Sequence, residues 1–152
     1  MSLIIATGSN QGNCLDLLSE AKSLLEGEFQ FIAQSRIYRS KAVDYEAQPD
    51  FFNQVLEFRL PQLQPRAVML RLLEIEKHMG RTRFISRGPR TIDLDIIFWG
   101  LSEINTAGLI IPHPRWQDRS FVIKPLRELP FFQTIEKCFT IPESFKVDAL
   151  PV

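Results

Sequence analysis

The stretch Arg90-Thr91-Ile92-Asp93-Leu94-Asp95-Ile96-Ile97 constrains this chain more than any other. Apolar and acidic residues alternate through its centre, the period of a strand whose two faces meet different surroundings. Ile92, Leu94 and Ile96 point into a core, and Asp93 and Asp95 leave together from the opposite face. The strand is predicted over Thr91 to Trp99, and its apolar content suits a central position in a sheet. With 152 residues, 45% of them hydrophobic, the chain fits one compact domain over 1–152, with a core from about 3 to 129.

The rest of the chain supplies partners for that strand. Leu3 to Thr7 reads as a buried strand, broken by Gly8-Ser9-Asn10-Gln11-Gly12-Asn13. Asn13 suits a helix N-cap, and Leu17, Leu18, Ala21, Leu24 and Leu25 follow at helical spacing to a stop at Gly27. Phe29, Phe31, Ala33 and Ile37 predict one strand; Ser40 to Asp50 reads as a long loop; Phe52 to Leu60 is another strand. Val68, Leu72, Ile75 and Met79 place a helix over Ala67 to Met79, ended by Gly80. Arg81 to Arg90 reads as a basic, mobile loop, Gly100 to Ala107 as a connector, and Asp118 as the cap of a helix running to about Leu129. No structure is assigned to residues 131–152. The order strand, helix, strand, strand, helix, strand predicts an α+β fold, a ferredoxin-like sandwich with a mainly antiparallel sheet and helices on one face.

Two carboxylates side by side raise each other's pKa unless cations lie between them, and hard carboxylate oxygens suit magnesium. An isolated Asp-x-Asp is nevertheless more often the wet face of an ordinary strand. Here Arg81, Arg83, Arg87 and Arg90 precede the pair, and guanidinium groups bind phosphate oxygens in bidentate fashion. The alternative for these arginines is a solvated loop paired with nearby acids. His113, stiffened between Pro112 and Pro114, is either a turn histidine or a donor to phosphate. In Gln48-Pro49-Asp50-Phe51-Phe52-Asn53, alternation lets one ring face the core while the other faces a ligand. The Asn53 amide can match a donor–acceptor edge.

In this order, Gly8-Ser9-Asn10, the Gln48–Asn53 block, Gly80-Arg81-Thr82-Arg83, Gly88-Pro89-Arg90-Thr91-Ile92-Asp93-Leu94-Asp95, Pro112-His113-Pro114 and Arg119-Ser120-Phe121 resemble the 6-hydroxymethyl-7,8-dihydropterin pyrophosphokinases. The resemblance runs from about Leu3 to Leu129. It implies a soluble enzyme that moves pyrophosphate from ATP to the pterin hydroxymethyl group in folate biosynthesis, releasing AMP. By the match, Asp93 and Asp95 hold two magnesium ions and act in catalysis with Arg81 and Arg90. Ser40, Val43, Phe51, Asn53, Asp93 and Phe121 make the pterin pocket. Glu76, Arg81, Arg83, Arg90, Ile96, His113 and Arg119 meet ATP. Loops at Lys41–Gln48 and Arg81–Gly88 close over the substrates. The chain departs from the usual bacterial pattern at Arg87, Gly108, Leu73 and Lys41-Ala42.

Eighteen basic residues balance eighteen acidic ones, so the chain lacks the basic excess of a nucleic-acid or membrane-surface binder. No apolar run approaches the roughly 20 residues of a membrane span. Cys14 and Cys138 are far apart and in no metal-ligand spacing, the usage of a reduced cytoplasmic protein, and no signal peptide is read at the start. A monomer is expected. Two other readings remain at this level: a non-catalytic pterin- or nucleotide-binding module, and an RNA-binding domain on the same fold, which the neutral charge opposes.

Overall fold

In the computed structural model, residues 1–42, 47–81 and 91–152 are described. Strand β1 (Ser2–Ser9) is buried along nearly its whole length. Helix α1 (Cys14–Glu26) starts where predicted, the Asn13 side chain accepting from the Asp16 backbone N–H at 3.3 Å. Strands β2 (Phe31–Gln34) and β3 (Tyr38–Ser40) replace the single strand expected from Phe29 to Ile37, and both pair with β4 (Phe51–Arg59). Ser40 therefore belongs to a strand and not to the following loop. Helix α2 (Pro65–His78) begins with proline in its first turn, two residues before the expected start.

Among the described residues strand β5 (Asp93–Trp99) pairs only with β1, so the sheet runs β5-β1-β4-β3-β8, with β2 also on β4 and every such pairing antiparallel. The expected central strand is an edge strand. Its apolar run reflects cover on both faces of the sheet, and such cover does not require strand neighbours on both sides. The connector after it holds β6 (Ile104–Thr106), a hairpin partner of β7 (Leu109–Ile111).

Helices lie on both faces, not one. Leu18, Ala21 and Leu25 of α1 and Val68, Leu72 and Ile75 of α2 cover Leu3, Ile5, Leu94 and Ile96. The opposite face carries Ile4, Val55, Ile97 and Phe98 beneath helix α3 (Ser120–Leu126) and helix α4 (Phe132–Glu136). A 3-10 turn, Trp116–Asp118, takes the place of the expected helix start at Asp118.

The unassigned tail completes this second layer. Phe131, Phe132 and Ile135 are buried in it. Glu57, 3% exposed, accepts from the Phe131 N–H at 3.0 Å and from the Ser2 hydroxyl at 2.8 Å, joining tail and sheet. The chain then returns through Ser120 Oγ, which donates to the Val147 carbonyl, and ends as β8 (Leu150–Pro151) beside β3. Among the described residues no helix is long and apolar enough to cross a membrane.

Candidate active site

Register across three strands assembles the site. Asp93 faces Gly8 on β1, and Gly8 faces Asn53 on β4; Asp95 faces Ala6, which faces Val55. Asp93 and Asp95 thus stand on the α3 side of the sheet, while Leu94 and Ile96 enter the α1–α2 core, as the alternation requires. Phe51 shares the Asn53 face, and Ser40 pairs with Phe51 across β3–β4. Phe52 packs into the α1–α2 core, so the two rings divide as expected. Phe121, on the first turn of α3, is half-buried against the second core, and the Arg119 guanidinium carbon lies 5.5 Å from its ring centre.

The carboxylates are held from below. Glu76 of α2 is 2% exposed, and its Oε2 accepts from the Leu94 backbone N–H at 2.7 Å and from Arg81 Nη1 at 2.8 Å. Leu94 lies between the two aspartates, so this bond ties the strand that carries them to the helix behind. Arg81 Nη1 also donates to Asp93 Oδ1 at 2.6 Å. One guanidinium therefore bridges a buried glutamate and a half-buried aspartate.

Burial, then the neighbouring Asp93 charge, push the Asp95 carboxyl up to about 7, against the pull of Arg119 and Arg81. Repulsion of this kind is relieved by a divalent cation. Magnesium is commonly held by one or two carboxylates together with substrate phosphates, and the pair fits that donor set. His113 is pushed the other way, down to about 4, by burial and by the Arg119 charge. Its Nδ1 accepts from the Arg115 backbone N–H at 3.2 Å, so the neutral ring carries its proton on Nε2. The His113 backbone N–H donates to the Ile97 carbonyl at 3.1 Å, docking the Pro-His-Pro turn on β5.

A cavity of about 480 Å³ opens beside Asp95, lined by Met69, Leu72, Leu73, Ile96, Leu109 and His113 among others. Ile96 and His113 thus meet at one cavity, and two departures from the family pattern, Leu73 and Gly108, fall on its wall. At this same end of the sheet, the side chains of Ser9, Ser40, Asn53 (Oδ1), Arg81 (Nε) and Thr91 hold buried polar atoms with no hydrogen-bond partner among the described residues. Buried polar atoms are normally paired, so these call for partners from a ligand or from residues outside the described ones.

Val43, Arg83, Arg87 and Arg90 lie outside the described residues, as do most of the segments Lys41–Gln48 and Arg81–Gly88 expected to close over substrates. Sequence reasoning placed Asn10 in a family block but gave it no role; its amide donates to Gln48 Oε1 at 2.8 Å and to the Pro49 carbonyl at 3.1 Å, clasping the segment that leads into Phe51. It also missed the apolar cavity wall at Met69, Leu109 and Ile110; an apolar Ile110 left 47% exposed beside it is visible only once folded.

An α+β sandwich with paired carboxylates, bridging arginine, aromatic rings and an apolar cavity at one sheet end is equipped to bring a polyphosphate and a flat heterocycle together. The profile of the 7,8-dihydro-6-hydroxymethylpterin-pyrophosphokinase family matches residues 4–130. The chain belongs to that family. It is 39% identical over 142 residues to the 2-amino-4-hydroxy-6-hydroxymethyldihydropteridine pyrophosphokinase of Bacillus subtilis, covering 92% of this chain and 83% of that one. Identity to the Aquifex aeolicus protein of the same name is 34%, over 84% of this chain and 79% of that one. It is 41% to the folic acid synthesis protein fol1 of Pneumocystis carinii, where the match covers 84% of this chain but spans only 17% of the fungal protein.

Proposed function

We propose that this chain catalyses transfer of the β,γ-pyrophosphoryl group of ATP to the hydroxymethyl oxygen of 6-hydroxymethyl-7,8-dihydropterin, a step of folate biosynthesis. The alcohol oxygen gives up its proton to solvent and bonds to the β-phosphorus, the bond from that phosphorus to the α,β-bridging oxygen breaks, and AMP leaves. The observation that carries this reading is the row Asp93–Gly8–Asn53 across three strands, with Asp95 beside it. It puts a carboxylate pair and a buried amide on one face, about two strand spacings, or roughly 10 Å, apart.

Phe51 and Phe121 hold the ring, Asn53 reads its edge, and Ser40 and Val43 complete the pocket. The apolar cavity with Ile96 takes the nucleoside, and its position beside Asp95 sets the phosphates near the carboxylates. Arg81 and the Nε2–H of His113 donate to phosphate oxygens, joined by Arg83, Arg90 and Arg119, with Glu76 holding Arg81 in place. Two magnesium ions on Asp93 and Asp95 would neutralise polyphosphate charge and make the β-phosphorus more electrophilic. The protein's own contribution is alignment and fixed charge, which suffices for a transfer with little covalent chemistry.

The test is to incubate the protein with ATP, magnesium and the dihydropterin and follow AMP, with Asp95→Ala as control. AMP that requires both pterin and magnesium, and is lost in the variant, is the expected result. ADP in its place would overturn attack at the β-phosphorus. No turnover by folded protein at saturating substrate would leave a binding module.

A further inference from the structure

Gly8 sits at the crossing point of the site with a backbone that does not need glycine. It lies inside β1 in extended conformation, outside the left-handed region, and pairs on both sides, with Asp93 and with Asn53. Glycine in a strand interior weakens the strand, and alanine would be the better residue on backbone grounds. The reason for glycine must therefore lie in what surrounds its absent side chain.

A Cβ placed there would lie 2.6 Å from Asn53 Nδ2, a separation that real Cβ atoms essentially never show. The next nearest atoms, Asn53 Cγ and the Phe52 carbonyl oxygen, stand at 3.7 and 3.8 Å, ordinary contact distances. The clash is thus with one group alone. Asn53 is 8% exposed, its Nδ2 donates to the Thr7 carbonyl at 3.4 Å, and its Oδ1 is buried with no partner among the described residues. The amide points its nitrogen into the space that a Gly8 side chain would fill, and it can do so because nothing projects from Gly8. In the neighbouring row the corresponding β1 residue is Ala6, so β1 offers only the two smallest side chains between the carboxylates of β5 and the residues of β4.

We propose that Gly8 is a specificity-determining position for the pterin, acting through Asn53: the missing Cβ fixes the height and direction of the amide that reads the heterocycle. Gly8 is a positioning residue and need not touch the substrate. This rests on the pterin reading given above. A methyl group at this place rotates or raises the amide, and a buried recognition group turned away loses its hydrogen bonds to the ligand. The nucleotide cavity has neither Gly8 nor Asn53 on its wall, so nucleotide affinity is untouched.

The test titrates wild type, Gly8→Ala, Asn53→Ala and the double variant with fluorescent 6-hydroxymethylpterin, in magnesium and a non-hydrolysable ATP analogue. Affinity for the ATP analogue alone is measured in parallel. Gly8→Ala is expected to lower pterin affinity at least fivefold, to leave nucleotide affinity within twofold, and to cost less than twofold when added to Asn53→Ala. A loss under fivefold in the single variant, a matching loss of nucleotide affinity, or a further loss of twofold or more in the Asn53→Ala background would overturn the proposal. Should Gly8→Ala fail to fold, the double variant decides: recovery of the fold when the amide is removed supports the clash, and continued misfolding overturns it. Wild type that binds no pterin refutes the functional reading itself, an outcome distinct from all of these.

Discussion

Replacing Asp95 with asparagine should make the metal-free protein more stable above neutral pH while abolishing turnover. Folding lifts the Asp95 carboxyl from an ordinary 3.8 to about 7, chiefly by burial and then by the Asp93 charge. A folded pKa above the unfolded one means that the protonated form is favoured in the native state. Stability from this group is therefore full below about 3.8 and is lost as pH rises through about 7. At about 1.4 kcal/mol for each tenfold change, the fully ionised side chain costs at most about 4 kcal/mol. Asp95 keeps some contact with solvent, so screening reduces that figure, and about 2 kcal/mol at pH 8 is expected. Asparagine keeps the shape and carries no charge. Its advantage should be about 2 kcal/mol at pH 8 and below about 1 kcal/mol at pH 4.5. Urea unfolding in EDTA, followed by the fluorescence of the buried Trp99 and Trp116, measures both values. An asparagine variant no more stable than wild type at pH 8, or an advantage that does not shrink in acid, would refute the reasoning.

The same carboxyl makes magnesium compete with a proton: apparent affinity should rise about tenfold from pH 6 to pH 8, with proton release seen by calorimetry in buffers of different ionisation enthalpy. Glu76→Gln removes the charge that holds Arg81 but can keep the bond to the Leu94 N–H; it should cost about 2 kcal/mol in urea unfolding, since Arg81 retains Asp93. Asn10→Ala releases Gln48 and Pro49 and should raise the KM for pterin several-fold with the KM for ATP unchanged, at a stability cost of about 1 kcal/mol. His113 in the free protein should stay neutral in an NMR titration until about pH 4, so it contributes no limb to the pH profile of kcat/KM between 5.5 and 8.

What the sequence alone determined is local in origin. The period of two assigned Asp93 and Asp95 to one face and Leu94 and Ile96 to the other, and it divided Phe51 from Phe52, because a strand alternates whatever lies beside it. The cap at Asn13 and the helical spacings of α1 and α2 were legible for the same reason. Family blocks added the candidate residues, of which register gathered Ser40, Phe51, Asn53, Asp93 and Asp95 at one sheet end. Neighbours and cover came only with tertiary structure. The apolar run of β5 could not distinguish an edge strand covered on both faces from a central one, and the tail was too weakly periodic to announce α4 and the cover it adds beside the expected α3 helix. Glu76 beneath Leu94, Asn10 on Gln48, and Gly8 under the Asn53 amide join residues 18, 38 and 45 positions apart. Burial first, then the charges of Asp93 and Arg119 respectively, moved Asp95 and His113 away from their ordinary ionisation. Such contacts depend on which strands become neighbours, and that is decided by the packing of the whole chain.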